Sequence, residues 1–273
     1  MFHLFSSFCS DLGIVPPEAS LFSLCMCGGA ALSALFVALR YDLNRSFAGK
    51  STFLTVDSTD GSGSSETTKD LTKLGEILRH ASLSLRSGLC MSFGFLLIGC
   101  FRNNESVLIQ VCHNVFTAFA FSSAMLDIYF ESSAAAIRGD GRLAQFRRII
   151  LSLCVFFLVV YSTSGVFSMV VNRAAFDDKQ VRLMWSSGEA GYLLHVISAV
   201  LEWILIYMLS PYFYTFHSMF VRARYLQATA STSAVWREGK VAITVNLFIV
   251  MAFYLFKSAN DCHLTKQRQR LLS

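Results

Sequence analysis

Five stretches of about twenty mostly apolar residues run through this chain: Ser20 to Leu39, Ser82 to Phe101, Val107 to Phe130, Ile149 to Val171, and Gly191 to Ser210. In hydrocarbon, each backbone N–H and C=O must find its partner within the protein, so an uninterrupted run of this length folds as a bilayer-crossing helix. The predicted fold class is therefore all-α, a polytopic transmembrane helix bundle. Composition agrees, with 54% hydrophobic and 15% charged residues and a mean hydropathy of +0.51; soluble domains carry about 25% charged residues. A sixth apolar segment, Val241 to Phe256, reaches only about 24 Å as a helix, short of the roughly 30 Å hydrocarbon core.

Lysine and arginine placement orients the spans. Arg40 to Arg86, Arg138 to Arg148 and Arg222 to Lys240 carry seven, four and four basic residues, and are expected in the cytosol. The alternate loops are poorer. None precedes Ser20, Arg102 alone lies between the second and third spans, and Arg173, Lys179 and Arg182 lie between the fourth and fifth. The amino terminus is then lumenal or extracellular. The tail residues Lys257, Lys266, Arg268 and Arg270 favour a segment 241–256 that does not cross, which keeps them in the cytosol.

The expected organisation is a lumenal segment 1–19, a bundle 20–220, and a basic region 221–273. Within the bundle, the Ser-, Thr-, Gly- and Asp-rich stretch 55–70 reads as a disordered cytosolic loop. Of the eight cysteines, Cys25, Cys27, Cys90, Cys100, Cys112 and Cys154 fall inside spans, where cysteine acts as a small hydrophobe; Cys9 and Cys262 lie elsewhere with no disulfide or zinc spacing. Asn104-Glu105-Ser106 is a glycosylation sequon on the expected lumenal side, in a turn close to the membrane.

Glu202 is the residue that the bilayer tolerates least. A carboxylate at that depth costs about 2.5 to 3.5 kcal/mol on insertion scales, so it is expected to face the bundle interior. His195 lies seven residues earlier, about two turns and about 10 Å along the same helix face. His113, near the start of the third span, enters from the same side. These three residues are candidates for one lumen-facing cleft, with Glu18 at its mouth. Three readings stay open: interhelical hydrogen bonds that set helix register, a protonatable or lipid-headgroup-binding site, and catalysis. No His-Glu-x-x-His spacing, Gly-rich phosphate loop or nucleophile beside a histidine occurs in the sequence. Neither a metal, a cofactor nor an enzymatic activity is expected.

Asp127, near the cytosolic end of the third span, is expected at the interface, paired with a loop arginine such as Arg138 or Arg142. Gly28 and Gly29 with Ala30 and Ala31 are expected to permit close helix approach. Trp203 projects about 100° from Glu202, toward a neighbouring helix. Tyr207, Tyr212, Phe213 and Tyr214 around Pro211 read as an aromatic belt.

Ser10-Asp11-Leu12-Gly13-Ile14-Val15-Pro16-Pro17-Glu18 resembles the lumenal motif of the DRAM (damage-regulated autophagy modulator) proteins. Gly191-Tyr192-x-x-His195-x-x-Ser198-x-x-x-Glu202-Trp203 resembles the signature of their last span, and Trp185 and His113 also match. The resemblance covers roughly Ser10 to Ala230. It implies a six-span, non-enzymatic protein of lysosomal or other endomembranes that promotes autophagy. The partners implied are membrane lipids and membrane or autophagy proteins, not nucleic acid. Other branches of the wider group remodel the lipid of GPI anchors or organise plasma-membrane lipids, so a lipid-remodelling factor is the alternative. A small proton-coupled carrier is a second alternative.

The chain departs from that pattern in four places. Relatives have a span before the Pro-Pro-Glu loop, whereas Met1 to Cys9 are too few to cross. Phe116-Thr117 replace a Gly-Ala pair, the stretch 55–70 lengthens a short loop, and Val241 to Phe256 is additional. The ending Arg268-Gln269-Arg270-Leu271-Leu272 resembles the basic dileucine tail of one DRAM subgroup, a sorting-signal candidate at Leu271 and Leu272. Gln267 stands where such signals usually carry an acid.

Overall fold

The computed structural model describes residues 18–56, 64–101, 107–172 and 188–221. They form α1 (Glu18–Val56), α2 (Ser64–Cys100), α3 (Val107–Ile137), α4 (Gly141–Val171) and α5 (Tyr192–Tyr214), with a further helical turn at 217–221. Each predicted span coincides, to within one residue at its ends, with part of a helix long and apolar enough to cross a membrane. The helices outrun the spans. α1 has 39 residues and α3 and α4 have 31 each, so they measure about 58 and about 46 Å at 1.5 Å per residue.

This extra length changes one expectation. Thr55 and Val56 complete α1, and Ser64 to Asp70 begin α2, so the stretch 55–70 is helical at both ends rather than wholly disordered. Residues 57–63 lie outside the described residues. So do Pro16, Pro17, Asn104, Trp185, segment 241–256, and Leu271 and Leu272.

The α3–α4 connection is short and specific. Arg138 follows α3, Gly139 adopts φ +89°, and Asp140 precedes α4. The Gly139 N–H donates to Ala136 O at 3.1 Å, and the Asp140 N–H to Ala135 O at 3.0 Å. This is the paired closure of a left-handed glycine cap, which satisfies carbonyls that the helix end would leave open. The chain therefore reverses within three residues, and α4 returns against α3.

α2 packs between α1 and α3, and α4 packs against α3 and α5. The main core draws Val37 from α1, Met91 from α2, Ile128 from α3, Cys154 from α4 and Leu205 from α5. A second cluster joins Phe22, Ile98, Ala120 and Trp203. The outside is equally apolar: Leu24, Leu108, Val170 and Leu193 are each about 70% exposed. Such a surface suits lipid and not water.

Close approach of the backbones occurs at glycines of α2. A Cβ at Gly88 would lie 2.7 Å from Val37 Cγ1, and one at Gly94 would lie 2.7 Å from Ala120 Cβ and 2.9 Å from Ala120 Cα. Contact this tight requires glycine. By contrast, a Cβ at Gly28 would meet nothing within 4 Å, while Ala30 of the same expected patch is buried. Thr117 does not prevent the α2–α3 approach, because its hydroxyl is absorbed by the His113 carbonyl of its own helix at 2.9 Å.

Candidate functional site: a buried charge cluster and the polar face of the last helix

The sharpest chemistry in the bundle lies at its expected cytosolic end. Arg40, Asp127, Glu131 and Arg147 are each at most 1% exposed, although all four read in sequence as residues near span ends. Helix spacing explains why they converge. Arg40 and Asn44 are one turn apart on α1, as are Asp127 and Glu131 on α3, so two pairs line facing helix stripes. The tight α3–α4 reversal then brings Arg147 back beside Glu131.

Asp127 is fully coordinated. Its Oδ1 accepts from Arg40 Nη2 at 2.5 Å and from the Ser84 hydroxyl at 2.6 Å. Its Oδ2 accepts from Arg40 Nη1 at 2.9 Å and from the Tyr212 hydroxyl at 2.7 Å. Four donors from α1, α2 and α5 match the roughly four acceptor positions of a carboxylate, and the arginine contribution is the bidentate fork. This corrects the expected interfacial position of Asp127 and its pairing with Arg138 or Arg142. Its partner is Arg40, on a helix 87 residues earlier.

Glu131 is held more loosely. Its Oε1 accepts from Asn44 Nδ2 at 3.2 Å and lies 3.4 Å from Arg40 Nε. Its Oε2 lies 3.5 Å from Arg147 Nη1. Arg147 also donates to the Glu131 backbone carbonyl at 3.2 Å and to Thr215 Oγ1 at 3.0 Å. Arg138 extends the cluster outward through Asn44 Oδ1 at 3.0 Å. The ring of Phe216 lies under both guanidinium groups, 4.9 Å from Arg40 and 4.2 Å from Arg147, a cation–π arrangement that compensates desolvated cations. Two cations and two carboxylates give a buried centre of zero net charge in which all five helices take part.

The residues singled out in sequence lie mostly in the other half of the bundle. His195, Ser198, Glu202 and Trp203 all belong to the buried stripe of α5. His195 and Glu202 are 6% and 5% exposed, and His113 on α3 is 3% exposed. These positions are inside the helix packing. The Ser198 hydroxyl donates to the Tyr161 carbonyl of α4 at 3.0 Å; a Cβ at Gly165 would come within 3.1 Å of that hydroxyl. His113 Nδ1 lies 2.7 Å from the Phe101 carbonyl, so Nδ1 carries the proton and Nε2 is the acceptor in the neutral ring. Phe116, a turn beyond His113, packs against the cluster that contains Ala120 and Trp203. His113 and the Glu202-Trp203 pair therefore belong to the same end of the bundle. Glu18 is the first residue of α1.

Residues 6–222 match the family described as Frag1/DRAM/Sfk1/Cwh43P N-terminal domain. The chain belongs to this family. No curated protein and no solved structure matches it. The Frag1/DRAM match takes in the Pro-Pro-Glu motif at one end and all five helices, and it stops before segment 241–256 and the dileucine tail. Five membrane-length apolar helices in a Frag1/DRAM domain make the protein an integral, multi-pass membrane protein.

Sequence reasoning missed the Frag1/DRAM protein's charge cluster almost entirely. The available signal was the i, i+4 repetition of Arg40 with Asn44 and of Asp127 with Glu131 at the same end of their helices. Counting Arg40 and Arg147 as loop charges hid it.

Proposed function

We propose that this protein is a non-enzymatic, multi-pass protein of lysosomal or other endomembranes that modulates autophagy. The observation that carries the reading is the buried Glu202-Trp203 pair. In sequence it completes the last-span signature that resembles the DRAM branch, and in the fold Trp203 packs among Phe22, Ile98 and Ala120 of three other helices. The charge cluster supports a scaffold or binding protein. Its ionisable groups are spent on each other, with Asp127 taking four donors.

Depleting the protein in cells that make it, then measuring autophagic flux under starvation, tests the reading. Flux should change while GPI-anchored proteins stay at the cell surface. Unchanged flux with loss of GPI-anchored surface proteins would replace it with the lipid-remodelling alternative. That alternative draws support from His195 and Glu202 on one stripe of α5, ionisable side chains at bilayer depth of the kind that mark functional sites.

A further inference from the structure

Two thiols meet across the α1–α2 interface. Cys27 is half-buried on α1, and Cys100 is the exposed last residue of α2. Both are free thiols, and the two interact with each other. The helices come this close because Gly99 has no side chain. A Cβ there would lie 2.9 Å from Met26 Cβ, 3.2 Å from Cys27 Sγ and 3.3 Å from the Ser23 carbonyl oxygen. Close backbone packing therefore sets Cys27 Sγ against the end of α2, at the residue that precedes Cys100.

The charge bias assigns this end of the bundle to the non-cytosolic side. The turn after Cys100 carries Arg102 alone, whereas the opposite ends of α1 and α2 flank the segment richest in Lys and Arg. Disulfides form and persist in compartments of the secretory route and not in the cytosol.

We propose that Cys27 and Cys100 form a disulfide that staples α1 to α2 at the non-cytosolic face, with a disulfide-bearing lumenal oxidant as electron acceptor. The exposed Cys100 reacts first. Its thiolate attacks the oxidant's disulfide, forming a mixed disulfide and releasing one thiolate of the oxidant. The Cys27 thiolate then attacks the Cys100 sulfur, forming the intramolecular bond and releasing the oxidant's second thiolate. The two protons lost by the cysteines end on the oxidant's two thiols, which carry the two electrons.

Thiol counting on the full chain tests the proposal. The protein is made in a eukaryotic cell, its free thiols are blocked during lysis, and thiols released by reduction are tagged with a maleimide polymer. Reduction should release two more thiols from the natural chain than from Cys27→Ser or from Cys100→Ser, and Cys90→Ser should match the natural chain. In addition, a protease site inserted between residues 56 and 64 allows α1 to be cut from α2. The halves of the natural sequence should stay joined on a non-reducing gel and separate on reduction. The second readout stands even if the serine variants fail to fold. Halves that separate without reductant, or that remain joined in Cys27→Ser, would overturn the proposal. Oxidised glutathione added to reduced, detergent-purified protein should restore the link in the natural chain and not in either variant.

Discussion

Arg40 and Asp127 face each other fork to fork inside the bundle, with guanidinium nitrogens 2.5 and 2.9 Å from the two carboxylate oxygens and both side chains no more than 1% exposed. Neutral interhelical hydrogen bonds in membranes average about 0.6 kcal/mol. Orphaning one partner of a buried ion pair costs about 3 to 5 kcal/mol. The cluster therefore matters mainly through the penalty for breaking it.

Asp127→Asn should accordingly destabilise the protein strongly, since it leaves the Arg40 cation facing only Glu131 at 3.4 Å. A loss of about 3 kcal/mol or more is expected. Thermal unfolding in detergent and steady-state abundance are the measurements. The double variant Arg40→Met with Asp127→Asn, which removes the orphaned charge, should be more stable than Asp127→Asn alone. If the double variant is worse, the pairing is not what sets the cost.

Tyr212→Phe separates hydroxyl from ring. The hydroxyl donates to Asp127 and accepts from Arg40 at 3.1 Å, while the ring packs edge-on against Phe216 at 5.2 Å. Losing only the hydroxyl should cost about 1 to 3 kcal/mol, less than Asp127→Asn. Equal or greater damage in the same unfolding assay would contradict the ranking.

The glycines make a paired prediction. Gly28→Ala should be neutral or slightly stabilising, because nothing lies within 4 Å of the new Cβ and alanine is favoured over glycine in a helix by about 1 kcal/mol. Gly94→Ala should destabilise by about 1 to 3 kcal/mol through overpacking against Ala120. Adding Ala120→Gly to Gly94→Ala should recover part of that loss. Absence of any recovery would mean that the strain lies elsewhere.

Glu202→Gln distinguishes packing from recognition in the last helix. If the carboxylate contacts a lipid headgroup, the variant should keep normal abundance while changing binding to vesicles that carry an anionic or zwitterionic headgroup. A fall in abundance with unchanged binding by the protein that remains would assign Glu202 to helix register. Since Glu202 is 5% exposed, abundance and binding must be read on the same preparation.

Much of the helix content was legible because apolar length is a local property. Each of the five runs had to become a helix wherever it was placed, and the buried stripe of α5 followed from seven-residue spacing between His195 and Glu202. The ends were harder to read. Ser64 to Asp70 are polar and looked like loop, but helix continuation beyond the bilayer needs no apolar residues.

By itself the sequence determined a membrane-spanning all-α chain, its expected orientation, and the polar positions that lipid would not tolerate, because hydrocarbon imposes length and polarity limits on each segment separately. Only the tertiary structure decided which charges are buried and with whom. Arg40 and Asp127 lie 87 residues apart; Cys27 and Cys100 are also on different helices. Such pairings depend on which glycine faces bring helices together and on where the Gly139 reversal returns α4, and no single segment contains that information.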